Sequence, residues 1–147
     1  MNEALSEANL ALLEEEIPVG AVIVKDEKII GRGHNEREKK NSISSHAEIE
    51  AIENAEKALG TWTLEGATIY VTLEPCLMCS GAILQSRISR VVYGAEDPSM
   101  GAVTSHYYAF DDPTVNNRPL LTKGVLKEKC SIILKRFFEE NRKDKKH

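Results

Sequence analysis

The chain has 147 residues and carries a formal net charge of −4 at pH 7, with 41% hydrophobic and 29% charged residues. That length suits one domain with its own core, residues 1–147, and the composition is that of a folded globular chain rather than a disordered one. No apolar run approaches the roughly 20 residues that cross a bilayer, so no membrane partner is expected. The N-terminus from Met1 to Leu5 shows neither the basic nor the apolar region of a secretory signal, and the expected compartment is the cytosol.

In chain order, residues 2–15 read as a helix, on either the stripe Leu5, Ala8, Leu12, Glu15 or the stripe Ala4, Ala8, Ala11. The apolar run Val19 to Val24 reads as a buried strand. Asp26-Glu27 supplies a turn, and Lys28 to Gly33 is the returning strand of a hairpin. A polar loop over 34–45 leads to a helix from about His46 to Leu59, with Gly60 placed to end it. Ala67 to Leu73 alternates and is rich in Thr, Ile, Tyr and Val, as a strand requires. Pro75 is read as opening a helix that runs to about Ser86, and Ile88 to Tyr93 as another strand. Residues 103–110 are read as a short helix, Pro119 to Thr122 as a last short strand, and 124–141 as a closing helix with Leu126, Cys130, Ile133, Leu134 and Phe137 inward. A hairpin followed by β-α-β alternation predicts an α/β fold, a mixed sheet covered by helices on both faces.

The chemistry sits at two helix starts. Three cysteines in a chain with no export signal argue against a disulfide framework, so the close pair Cys76/Cys79 needs a metal or redox explanation. A spacing of three puts both sulfurs on one side of a helical turn, and a helix N-terminus favours the thiolate that a metal needs. Taken by itself, Cys76-Leu77-Met78-Cys79 also fits a redox pair or two buried thiols. With His46 it gives one nitrogen and two sulfurs, a zinc set of three ligands with the fourth position left for water, as in a catalytic site. Glu48 lies two residues after His46, where a carboxylate can move protons without ligating. The competing reading is that Ser45 to Glu48 forms a capping box, with Glu48 satisfying a backbone N–H. His-x-Glu, a strand, then Pro-Cys-x-x-Cys is the pattern of zinc-dependent nucleobase deaminases. Cys130 reads as a small buried hydrophobe, and His34, His106 and His147 as loop or surface residues.

Beyond these motifs the chain resembles the bacterial tRNA-specific adenosine deaminases from about Glu16 to Phe138. The matching stretches are Ile17 to Val22, Gly33-His34-Asn35, His46 to Ile49, Tyr70 to Ile83, Ser86 to Ile88, Val91 to Ala95, Asp97-Pro98 and Gly101-Ala102. The resemblance implies a cytidine deaminase-like three-layer α/β/α sandwich around a five-stranded mixed sheet. It implies one zinc ion per chain, held by His46, Cys76 and Cys79, with Glu48 catalytic. It implies a homodimer, and a tRNA anticodon stem-loop as substrate, the wobble adenosine becoming inosine. Asn35 matches the asparagine that binds the flipped base, Asn116 an anticodon-loop contact, and Phe137 and Phe138 a helix flanking the RNA. The chain departs from the family in a shorter N-terminal helix, in Ser44-Ser45 before the zinc histidine, and in Asn117 where histidine is usual. A deaminase of a free base or nucleotide, such as guanine, cytosine or dCMP, is the alternative enzyme. A non-catalytic zinc-containing RNA-binding subunit is the alternative from another class. The acidic net charge opposes phosphate binding, whereas Lys135, Arg136, Arg142, Lys143, Lys145 and Lys146 form a basic end that fits either a local RNA contact or a solvated helix terminus.

Overall fold

The computed structural model describes the backbone of residues 1–145 and side chains through Asn141. Helix α1 (Asn2–Leu13) leads into strands β1 (Gly20–Lys25) and β2 (Lys28–His34). Then come α2 (Arg37–Lys40), α3 (Ala47–Leu59), β3 (Thr68–Leu73), α4 (Leu77–Gln85), β4 (Arg90–Ala95), β5 (Leu120–Thr122) and α5 (Lys127–Lys145). The strands form one five-stranded sheet in the order β2-β1-β3-β4-β5. The first two pairings are antiparallel and the last two parallel, which makes the expected mixed sheet. Asp26 and Glu27 both adopt left-handed φ, at 50° and 65°, the pairing that a two-residue hairpin turn needs to match strand twist.

Small residues set the layering. A Cβ on Gly20 would strike the Ala4 carbonyl of α1, whereas one on Gly31 would strike the Ala51 carbonyl of α3. Because side chains alternate across a strand, α1 and α3 therefore lie on opposite faces of the hairpin. Gly94 of β4 packs against Cys130 of α5, and α4 crosses between β3 and β4 with Ile83 buried beside Ile69, Val71 and Val91. Two helix layers thus sandwich the sheet, and the core centres on Ile23, Leu64, Ile69, Ile83, Ile88, Val91 and Tyr93. No helix of the described residues is long and apolar enough to cross a membrane.

Several boundaries differ from expectation. The polar stretch 34–45 contains the one-turn helix α2, which ends on Asn41 in the left-handed conformation. Pro75 lies outside α4, since the capping residue of that helix is Cys76. Residues 103–110 form turns rather than a helix, with Tyr107 and Tyr108 both at positive φ. Their backbone is committed to non-helical partners: the Val103, Thr104 and Ser105 N–H groups donate to the Glu74 carboxylate. In α5, Cys130 and Phe137 are buried, Ile133 and Leu134 half-buried, and Leu126 precedes the helix at φ 53°. Lys135 and Arg136 are exposed. The side chains of Arg142, Lys143 and Lys145, and residues Lys146 and His147, lie outside the described residues.

Candidate metal and catalytic centre

Two helices begin at the same place. His46 is the N-cap of α3 and Cys76 the N-cap of α4, both with extended backbone. Each starts its helix through its carbonyl, which accepts from Glu50 N–H and Ser80 N–H at 3.0 and 2.8 Å. Neither side chain caps its own helix, so both are free to point at a ligand. His46 Nδ1 lies 3.6 Å from Cys76 Sγ and 3.5 Å from Cys79 Sγ. Zinc–sulfur bonds of about 2.3 Å and zinc–nitrogen bonds of about 2.0–2.1 Å at the tetrahedral angle space the two donors about 3.5 Å apart. The donor set and its spacing therefore fit a tetrahedral zinc ion, with Nδ1 as the ligating nitrogen.

The electrostatics agree with that fit. Hydrogen bonding from Cys79, and then from His46, pulls the Cys76 thiol down to about 4 against the effect of burial. The Cys76 sulfur and burial push Cys79 up. The His46 imidazole is raised by the same Cys76 contact.

Glu48 is 4% exposed, and burial pushes its carboxyl up to about 7. The N-cap of α3 is His46, not Ser45, so Glu48 occupies the second helical position rather than the third. That register removes the capping-box reading. Asn35 is 7% exposed at the end of β2. Its Nδ2 donates to the Ile17 carbonyl at 3.4 Å and its Oδ1 accepts from Arg37 N–H at 3.3 Å. Both contacts are long, which leaves the amide able to turn toward a ligand.

His46, Glu48, Cys76 and Asn35 line one cleft of about 200 Å³, closed by Ile17, Val19, Leu73, Glu74, Asp97 and Met100. A second cleft of about 480 Å³ shares Ile17, Asn35 and Arg37 with it and is lined further by Glu15, Phe137 and Phe138. Phe137 is 8% exposed and Phe138 47%, and the two rings meet edge to face with centroids 5.4 Å apart. Asn116 is not among these residues: it is exposed, on the turn after Val115, and lines neither cleft.

His34 is not a loop residue. It ends β2 with Nδ1 3.1 Å from Glu7 and Nε2 3.1 and 3.4 Å from Glu36 and Glu14, among the cations Arg32, Lys39 and Lys40. Two other residues that sequence reasoning passed over matter more. Glu16, 2% exposed, accepts the N–H groups of Glu38 and Lys39 and so holds α2 from outside. Glu74, also 2% exposed, binds the loop 97–105. In sequence both resemble surface acids. The adjacent Ile17-Pro18 and Pro75 were the available signal, since a carboxylate beside buried chain needs a partner.

Over residues 1–142 the chain matches the MafB19-like deaminase family. A tRNA-specific adenosine deaminase of Streptococcus pyogenes serotype M1 is 47% identical over 146 residues, covering 99% of this chain and 85% of that protein. The chain belongs to the tRNA-specific adenosine deaminase family. A structure solved in a study of A-to-I editing by tRNA:A34 deaminases at the wobble position superposes with a TM-score of 0.88 at 44% identity, over 91% of this chain and 97% of the other. A guanine deaminase from Bacillus subtilis is more distant, with a TM-score of 0.64 at 32% identity over 97% of this chain and 90% of that one. The sandwich is accordingly the cytidine deaminase-like fold, and the protein is a deaminating enzyme.

Proposed function

We propose that this protein hydrolyses the amine from carbon 6 of the wobble adenosine in a tRNA anticodon loop, releasing ammonia and leaving inosine. The observation that carries this reading is the meeting of His46 Nδ1 with the two cysteine sulfurs, at a cleft that His46, Cys76, buried Glu48 and Asn35 line. The 44–47% identity to relatives named for that reaction supports the substrate.

His46, Cys76 and Cys79 would hold one zinc ion, which supplies the Lewis acidity that makes water nucleophilic near neutral pH. Glu48 takes one proton of the attacking water and hands it to ring nitrogen 1, then carries the proton of the new carbon-6 hydroxyl to the departing amine as the carbon–nitrogen bond breaks. A carboxyl poised at about 7 is suited to accept and to donate in one cycle. Asn35 turns its amide to the edge of the base. The base must leave its stack to enter, which costs least for an unpaired loop nucleotide. Among the described residues Arg37 is the one permanent cation lining either cleft, while Phe137 and Phe138 offer ring surface. Recognition thus relies on stacking and shape, aided by the basic C-terminal run and by Asn116 outside the clefts. The protein acts in the cytoplasm as a homodimer.

Incubation with an anticodon stem-loop, free adenosine, guanine and cytosine, followed by product analysis, tests this reading. Faster turnover of any free base overturns the RNA substrate and leaves the zinc chemistry standing.

A further inference from the structure

Glu74 is the residue between β3 and the Pro75-Cys76 metal-ligand segment, and nothing in the proton-transfer scheme uses it. Its carboxylate nevertheless takes more hydrogen bonds than most side chains can. Oε1 accepts from Asp97 N–H at 3.1 Å and from the Ser105 hydroxyl at 2.6 Å. Oε2 accepts from the N–H groups of Val103, Thr104 and Ser105 at 3.0, 2.9 and 3.0 Å. The loop is closed on the carboxylate without space to spare, since a Cβ on Gly101 would lie 2.3 Å from its carboxyl carbon. The same loop runs alongside the ligand segment: Ala102 N–H donates to the Pro75 carbonyl at 2.9 Å, and Cys76 forms a β-bridge with Gly101. It also carries Asp97 and Met100, which line the catalytic cleft together with Glu74 itself.

We propose that Glu74 is a positioning residue whose carboxylate shapes the Asp97–Met100 wall and so sets how tightly the cleft grips the nucleoside. The metal ligands have supports of their own, since Cys79 lies in α4 and Cys76 and His46 are the N-caps of α4 and α3. The alternative role is that of a fold staple, which would affect stability and leave substrate binding alone. An irregular loop has no ladder of its own to hold its shape, so its geometry follows the group its N–H donors converge on. A carboxylate offers that acceptor array; a carboxamide of the same size turns an NH2 against the donors.

The inference rests on the deaminase reading, and the wild type is therefore assayed first on the stem-loop and the free bases. The comparison is then made on whichever substrate it turns over, which keeps the two failures apart. Glu74→Gln is expected to retain the wild-type zinc content, to raise KM by about tenfold or more, and to change kcat by less than about threefold, the pattern of lost substrate binding. Glu74→Asp, which keeps the carboxylate, should recover part of that KM. Stem-loop binding by Glu74→Gln in a Glu48→Gln background should weaken by the same factor as KM. Ser105→Ala removes one donor without burying a misfit, so it folds even where Glu74→Gln does not, and should raise KM by about two- to threefold. A lowered melting temperature with unchanged KM in Glu74→Gln and Ser105→Ala would overturn the proposal in favour of a staple. Lost zinc with unchanged KM would overturn it in favour of an action through Cys76.

Discussion

Gly33 lies against Ala47 so closely that a Cβ on the glycine would sit 2.5 Å from the alanine's carbonyl oxygen. Ala47 is the first residue of α3, between the proposed ligand His46 and the proposed proton carrier Glu48. Strand β2 thus presses its backbone directly on the turn that carries the chemistry, and Gly31 makes the same approach to Ala51 one turn later. The space left by a missing side chain fixes the height of the catalytic turn above the sheet.

Gly33→Ala should cost about 1–3 kcal/mol, the range for overpacking a closely packed site. Because the clash falls on the first turn of α3, zinc affinity should fall together with stability. Urea unfolding and a competitive zinc titration measure the two. Wild-type values in both would show that the strand can move away freely.

Cys76→Ala and Cys79→Ala should each purify without stoichiometric zinc, as read by elemental analysis. For the wild type, added zinc should raise the melting temperature, since a ligand that binds only the native state stabilises by about 2.7 kcal/mol at a hundred times its Kd. The variants should lose that dependence. About one zinc per chain in either variant removes it from the ligand set.

Glu48→Gln should keep zinc and the fold but lose turnover by at least the ~10²–10⁴ expected of a general acid–base. The amide matches the buried carboxyl in size, so the melting temperature should hardly change. If the melting temperature drops while the rate stays normal, Glu48 is a structural group.

Cys130 is buried under Gly94, and desolvation pushes its thiol up to about 11 while the N-terminal ammonium pulls weakly the other way. A thiol raised from 9 to about 11 stabilises the fold fully below pH 9, and that contribution is lost as pH rises through 11. With iodoacetamide at pH 8, Cys130 should resist labelling until the protein unfolds, whereas Cys76 should label once zinc is chelated. Mass spectrometry of the alkylated peptides reads the order. Early modification of Cys130 in the native protein would contradict its burial.

Much of the fold follows from local pattern. Strand alternation marks Thr68 to Leu73, and Gly60 ends α3 at φ 69° because a residue without a Cβ enters the left-handed region freely. The spacing of Cys76 and Cys79 and the His-x-Glu pair each have other uses taken alone, and it is their combination that names a candidate metal set from the chain. What the pattern missed was local structure decided by distant groups. Residues 103–110 look helical until Glu74, some 30 positions earlier, takes their N–H donors. The loop after Asn35 contains a helical turn because Glu16 binds its N–H groups.

The sequence by itself therefore determined the long helices, the mixed sheet and the candidate ligand residues, since periodicity and ligand chemistry are properties of neighbouring residues. Tertiary structure decided which ring nitrogen of His46 faces the sulfurs, and that Glu48 is buried one position too early to cap its helix. It also decided that Asn116 lies outside the clefts and that two ordinary-looking glutamates hold their walls. A carboxylate's role depends on which backbone donors fold around it. Those donors come from chain 22 to 31 residues away, a distance over which sequence spacing carries no geometry.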